Sequence, residues 1–306
     1  MDVIEVANMR KTYGRTIAVE DISLVVHEGE IFGMVGPNGA GKTTTIECIE
    51  GLRKPDDGTV RVLGLNPQTD SRQLRTMTGI QLQQSNLPEH IKVWEALELF
   101  ASFYSDPADW KVLISQLGLE EKRDARFCRL SGGQKQRLFI ALAILPNPRI
   151  VFLDELTTGL DPQARHAIWD LVREVRSQGK TILLTTHFME EAEKLCDRVA
   201  ILDQGHIAAM DTPGALIQSL AGEESVSFTL DGSMPPALEE ALGHFGHVEL
   251  EGSRVIIRGS STENTQLVAD VVKLLSGADV HFHSLQTVQP TLEDVFLQLT
   301  GRQIRE

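Results

Sequence analysis

Positive charge is scarce in this chain. Its 306 residues carry 29 lysines and arginines against 43 aspartates and glutamates, a formal net charge of −14. Proteins that bind a duplex show basic stripes, so nucleic acid is not expected as a partner. Cysteine is sparse too. Cys48, Cys128 and Cys196 stand apart, without the spacing of a metal site or a disulfide framework, and suit a reducing compartment. Long apolar runs are missing. The longest, near Leu138 to Leu145, stops at Pro146-Asn147-Pro148, far short of the roughly 20 residues that a membrane span needs. The first residues, Met1-Asp2-Val3-Ile4-Glu5-Val6, are acidic and have no signal-peptide core. A soluble, cytoplasmic chain is therefore expected. With 42% hydrophobic residues it can still bury a core, as one large or two modest domains.

What is present is more specific. Gly36-Pro37-Asn38-Gly39-Ala40-Gly41-Lys42-Thr43 fits the pattern G-x-x-x-x-G-K-[ST]. The run Ile31-Phe32-Gly33-Met34-Val35 before it reads as a buried parallel strand, and a helix is expected from Thr43 to Glu50, ended by Gly51. Glycines allow a tight turn whose successive N–H groups point at an anion, and the helix N-terminus adds further donors. Lys42 is expected to reach the β- and γ-phosphates of a nucleoside triphosphate. The Thr43 hydroxyl is expected on Mg2+, with Thr44 beside it.

A second strand, Ile150-Val151-Phe152-Leu153, runs straight into Asp154 and Glu155. Acids at the carboxyl edge of an open α/β sheet stand where ligands bind. Asp154 suits a second Mg2+ contact, and Glu155 suits the base that deprotonates an attacking water. The strand Thr181 to Leu184 leads to Thr185-Thr186-His187 and brings an imidazole to the same edge. Leu130-Ser131-Gly132-Gly133-Gln134 forms another Gly-rich turn opening onto a helix. Ser131 can cap that helix, while Gly132 and Gly133 leave its first N–H groups uncovered, which makes a second anion site. One phosphate chain is already surrounded by the first loop. The economical resolution is that the second turn serves a nucleotide bound by a neighbouring copy.

Taken together and in this order, the phosphate loop, Leu130-Ser131-Gly132-Gly133-Gln134-Lys135-Gln136-Arg137, Leu153-Asp154-Glu155, Thr158-Gly159-Leu160-Asp161 and His187 resemble the ATP-binding subunit of an ABC-type transporter. The resemblance covers roughly residues 2 to 220. It implies a P-loop NTPase fold of the α/β class with antiparallel β and helical subdomains. It also implies ATP hydrolysis with Mg2+, a head-to-tail homodimer with two composite sites, and a separate membrane permease subunit on the inner face of the cell membrane. Carried onto this sequence, it makes Tyr13 the aromatic that stacks on adenine. Gln83 becomes the glutamine that touches Mg2+ and water, chosen over Gln81 and Gln84 by its offset from Gly79. Gly36, Asn38, Gly39, Ala40 and Gly41 become the phosphate cradle, and Gln134 closes the signature turn. His187 positions the γ-phosphate, and Asp161 communicates across the dimer. Leu156 departs from the pattern, which has proline after the catalytic glutamate. Tyr13 also has a plainer reading, as a packed surface aromatic.

Two domains are expected, residues 1–220 and 221–306, with a helical insert in the first over about 84–145. In that insert Trp94, Leu97, Phe100, Ala101 and Tyr104 recur at helical spacing, as core or as a groove for a segment of the membrane subunit. Beyond Asp211-Thr212-Pro213-Gly214 the pattern reads β-α-β-β-α-β, a small ferredoxin-like α+β module. It either stiffens the dimer or docks a partner. The tail Pro290-Thr291-Leu292-Glu293-Asp294-Val295-Phe296-Leu297-Gln298-Leu299-Thr300-Gly301 resembles the end of ATPase subunits in drug-resistance exporters, which turns the expected transport toward export, of a drug or a lipid. A non-transport ABC ATPase acting on a macromolecular assembly is the competing reading.

Overall fold

The computed structural model describes residues 1–82, 86–221, 225–232, 234–258, 267–278, 280–288 and 290–301. The chain divides into one unit spanning Met1–Pro213 and a second beginning at Gly214.

The first unit opens with two long strands, β1 (Asp2–Tyr13) and β2 (Thr16–His27), paired antiparallel across the Gly14-Arg15 turn. Then come β3 (Ile31–Val35), α1 (Lys42–Ile49), β4 (Asp57–Val62), the short α2 (Ser71–Leu74) and β5 (Thr78–Gln81). The insert supplies α3 (Val93–Ala101) and α4 (Trp110–Gln116). The chain returns through α5 (Gly132–Ile144) to β6 (Ile150–Asp154), α6 (Pro162–Ser177), β7 (Thr181–Thr186), α7 (Met189–Leu195), β8 (Arg198–Asp203) and β9 (His206–Asp211).

All nine strands form one sheet in the order β4-β1-β2-β9-β8-β3-β7-β6-β5. From β8 through β3, β7 and β6 to β5 the strands run parallel. The central ones, β3, β6 and β7, are buried at every residue. That follows from the apolar runs at their centres, since a parallel strand is covered on both faces; Thr185, Thr186 and Asp154 are the buried polar residues at their carboxyl ends. β2 alternates instead, turning Ile22, Leu24 and Val26 inward and polar residues outward, and β1 does so at Ile4 and Val6 between its register shifts. Register then fixes the site. Val35 pairs with Thr186 and Asp154 pairs with Thr185, so the residues that follow three different strands emerge at one carboxyl edge.

In the insert, the expected helical stripe divides. Val93, Ala96 and Leu97 are buried, whereas Trp94, Phe100, Ala101 and Tyr104 are half-buried. The helix ends at Ala101, so Tyr104 lies beyond it and the 3.6-residue spacing no longer determines where its ring goes.

The second unit continues with α8 (Pro213–Leu216) and a π-turn (Ile217–Ala221), then β10 (Ser225–Leu230), α9 (Pro236–Gly243), β11 (His247–Glu251), β12 (Arg254–Arg258), α10 (Leu267–Gly277), β13 (Phe282–Val288) and α11 (Leu292–Thr300). Its four strands form an antiparallel sheet in the order β11-β12-β10-β13. Val226, Phe228, Val255 and Ile257 on the sheet pack with Leu238, Leu242, Val271 and Leu275 of the helices. The tail forms α11, capped reciprocally by Thr291 and Asp294 and ended by Gly301 in the left-handed conformation. It packs on the π-turn, which groups that turn with the second unit. No described helix is long and apolar enough to cross a membrane.

Candidate nucleotide site

The site is built where β3 gives way to α1. Gly36 and Gly41 are the two positions at which the loop excludes any other residue. Gly36 has φ 156°, and a Cβ there would lie 2.2 Å from the carbonyl oxygen of Leu202; at Gly41, φ is 102° and the clash is with the carbonyl of Ala18 at 2.5 Å. The loop therefore passes against the backbones of β2 and β8, and α1 starts at Lys42 with no side-chain cap among the described residues, which leaves its first N–H groups to a ligand.

Lys42 is 4% exposed. Its Nζ donates to the carbonyls of Gly36 at 2.8 Å and Pro37 at 3.1 Å and lies 3.6 Å from Glu155 Oε1. Burial pulls the ammonium below its ordinary pKa, and the carboxylates of Glu155 and Asp154 oppose that shift. His187 Nδ1 stands 3.8 Å from Glu155 Oε2. Glu155 thus lies between the lysine of one strand end and the histidine of another.

Asp154 is 3% exposed and accepts a short hydrogen bond from the Thr185 hydroxyl. Burial raises its pKa, with Glu155 pushing the same way and Thr185 and Lys42 opposing. Two adjacent carboxylates beside one lysine, one of them desolvated, form an oxygen-rich donor set that a small hard cation would satisfy. With the hydroxyl of Thr43 at the start of α1, this set fits Mg2+.

The backbone at Glu155 takes the left-handed conformation, φ 48°, which is uncommon outside glycine. Its N–H donates to both the carbonyl and the hydroxyl of Thr185, each at 3.1 Å. Leu156, the departure noted in the sequence, is buried, and its apolar side chain anchors this turn on the protein side.

A cleft of about 400 Å³ lies over the loop, lined by Tyr13, Thr16, Ile17, Ala18, Asn38, Gly39, Gly41, Lys42, Thr43, Thr44 and Glu155. Tyr13 and the phosphate loop, 23 residues apart at the nearest, therefore share one cavity. Thr16, Ile17 and Ala18 were not singled out in the sequence. Their signal was position, since they follow Tyr13 directly after a two-residue turn. Thr185 was also missed as an organiser, although it precedes His187 in the same triplet.

Ser131, Gly132, Gly133 and Gln134 do not line this cleft. Ser131 caps α5: its hydroxyl accepts from Gln134 N–H at 3.3 Å, and Gln134 Oε1 accepts from Ser131 N–H at 3.0 Å. A Cβ at Gly132 or Gly133 would come within 3.4 Å of Leu160 or Ala164, so the turn is packed against the start of α6. Asp161 caps α6, accepting from Ala164 N–H at 2.9 Å. Both residues are exposed. Gln83 lies outside the described residues.

A strand–loop–helix phosphate cradle, an acid pair at the next strand end and a histidine at the third define a nucleotide-hydrolysing P-loop protein. Comparison with known proteins is more particular. Residues 19–158 match the family model described as ABC transporter. The chain is 40% identical over 309 residues to the Nod factor export ATP-binding protein I of Rhizobium meliloti (strain 1021), covering 99% of this chain and 89% of that one. Among solved structures it is similar to an ATP-binding subunit of an ABC transporter (31% identity, TM-score 0.64, 72% of this chain and 93% of that one). It is also similar to a dimeric ATP-binding cassette in a post-hydrolysis state with ADP and Pi (28% identity, TM-score 0.62, 68% and 98%). The chain belongs to the ATP-binding subunits of ABC transporters, and its reaction is the hydrolysis of ATP.

Proposed function

We propose that this subunit drives export through a separate membrane permease, working at the inner face of the membrane as a homodimer that closes on two MgATP. The observation that carries the dimer is the half-built cleft. The phosphate loop and Glu155 line it, while the second Gly-rich turn of the same chain does not. The similar cassette with ADP and Pi is dimeric. Export rests on the similar proteins named for Nod factor export and on the exporter-like tail that forms α11.

In this reading Tyr13 stacks on adenine, and the N–H groups from Gly36 to Thr44 cradle the phosphates. Lys42 leaves the carbonyls of Gly36 and Pro37 for the β- and γ-phosphates. Thr43, Asp154 and Gln83 would hold Mg2+, which supplies charge neutralisation between the phosphates. Glu155 takes the proton of the attacking water, and His187 orients the γ-phosphate. Ser131, Gly132, Gly133 and Gln134 of the facing copy close the site, and Asp161, beside that turn, carries the state of one site to the other. Triphosphate favours the closed dimer because it touches both halves, and hydrolysis removes that preference. The membrane subunit contacts a second cleft of about 490 Å³, in which Phe100, Phe103, Tyr104 and Leu142 meet Arg72 and Arg75. Apolar rings flanked by two cations suit an amphipathic segment with an acidic end.

Glu155→Gln tests the reading. Light scattering on the variant with saturating MgATP is expected to show a stable dimer with turnover abolished. A monomer under those conditions, or normal hydrolysis, overturns it.

A further inference from the structure

Tyr13 is the last residue of β1 and lines the nucleotide cleft. Two cations approach the same ring: Lys11 Nζ lies 5.7 Å and Arg53 Cζ 5.4 Å from its centroid. Neither residue lines the cleft, so they stand away from the space a base would fill.

Each cation is itself tied down. Lys11 Nζ donates to Asp56 Oδ1 at 2.8 Å. Arg53 makes a short bond to Glu47 Oε2 and a second, at 3.4 Å, to Glu47 Oε1. Glu47 belongs to α1, the helix that begins at the phosphate loop. The main chain repeats the link: Arg53 N–H donates to the Glu47 carbonyl at 3.0 Å, and Gln68 Nε2 donates to the Arg53 carbonyl at 2.7 Å.

Asp56 completes the arrangement. Its carboxylate accepts from Thr12 N–H at 2.7 Å and from the Thr12 hydroxyl at 2.8 Å, in addition to Lys11. Its own N–H donates to the Arg10 carbonyl at 2.8 Å. Every one of these bonds falls on the three residues before Tyr13. These donors hold the Asp56 carboxyl at about 2, so it stays ionised throughout the working range of pH.

A tyrosine 41% exposed at a strand end has several side-chain rotamers open to it. Ordering it only when a base arrives would cost affinity, whereas a ring already held loses little on binding. We propose that Arg53 and Asp56 are positioning residues for the nucleotide base: they fix the Tyr13 ring and register it to the phosphate-loop helix through Glu47. This rests on Tyr13 as the base platform. It adds that the distance between base and phosphate subsites is set by the segment from Glu47 to Asp56.

The test compares MgATP with magnesium tripolyphosphate, which has the phosphates and no base, by calorimetry on the whole chain. Tyr13→Ala is expected to weaken MgATP about tenfold, the range of a lost base–aromatic stack, and to leave tripolyphosphate unchanged. Arg53→Gln and Asp56→Asn are each expected to weaken MgATP about threefold, as a cation–π contact near the surface would. They too leave tripolyphosphate unchanged, and their effect disappears in the Tyr13→Ala background. If Tyr13→Ala leaves MgATP affinity intact, the platform itself is wrong and the proposal falls with it. If Tyr13→Ala acts as expected but Arg53→Gln and Asp56→Asn weaken both ligands equally, or still act without the ring, these residues only staple the fold. The platform then survives and the positioning role is overturned.

Discussion

Glu50, the residue that caps α1, offers the sharpest test of how this unit is packed. Neither carboxyl oxygen has a hydrogen-bond partner among the described residues, and both are shut off from solvent. Burial, with Asp154 and then Glu47 adding like charge, raises its pKa from an ordinary 4.5 to about 9. The folded chain therefore holds this proton more tightly than the unfolded chain does. Below pH 4.5 the acid is neutral in both states and has no effect on stability. As pH rises from there toward 9, folding must take up a proton, and each pH unit costs about 1.36 kcal/mol. Three units, from about pH 5 to about pH 8, give a loss of about 4 kcal/mol. That is an upper bound, because a structure that relaxes to admit water lowers the cost of the charge. Glu50→Gln keeps the shape and removes the titration. Its stability relative to the natural chain is expected to climb across this interval by up to about 4 kcal/mol. Denaturant unfolding followed by tryptophan fluorescence measures it, since Trp94, Trp110 and Trp169 all lie in the first unit. Parallel stability curves for the two proteins between these pH values would refute the buried neutral acid.

Three further outcomes follow from the same geometry. Lys42→Ala removes the cation that would meet the β- and γ-phosphates, and turnover in a phosphate-release assay is expected to fall at least about a hundredfold, as for loss of one preorganised donor. Gly41→Ala forces a Cβ to 2.5 Å from the Ala18 carbonyl at φ 102°. Backbone strain alone is worth on the order of 1–2 kcal/mol, so a melting point lowered by a few degrees and loss of nucleotide binding are expected; retention of both would contradict the described loop. Trp169→Phe deletes the N–H that donates to the buried Glu191 carboxyl at 2.8 Å. A cost of about 1–3 kcal/mol in denaturant unfolding is expected for removing one of that acid's donors, Thr186 remaining beside it.

The helix over the signature turn shows how much was legible locally. Ser131 and Gln134 cap it reciprocally at three-residue spacing, and a helix start of this kind needs no distant partner. The same holds for the phosphate loop and for the acidic end of β6. The insert was less legible. Its stripe predicted a buried Leu97 correctly, but Phe100 and Tyr104 border a cleft with Arg72 and Arg75, residues about 30 positions earlier. Periodicity assigns a face and says nothing about what lies opposite. An acid before a helix-ending glycine, as Glu50 is, reads from sequence as solvated; only packing shows that water is excluded.

By itself the sequence determined the family and the order of its motifs along the chain, and it pointed to the residues proposed as phosphate donors, metal oxygens and base. These depend on short segments whose backbone geometry is set by glycines, caps and strand ends within a few residues. Tertiary structure decided the distances and the charge states. The register of β3, β6 and β7 brings Lys42 and His187, far apart along the chain, each within 4 Å of Glu155, and burial holds the proton on Glu50 and raises the pKa of Asp154. Both effects come from strands and helices far apart in the chain, so no local pattern could carry them.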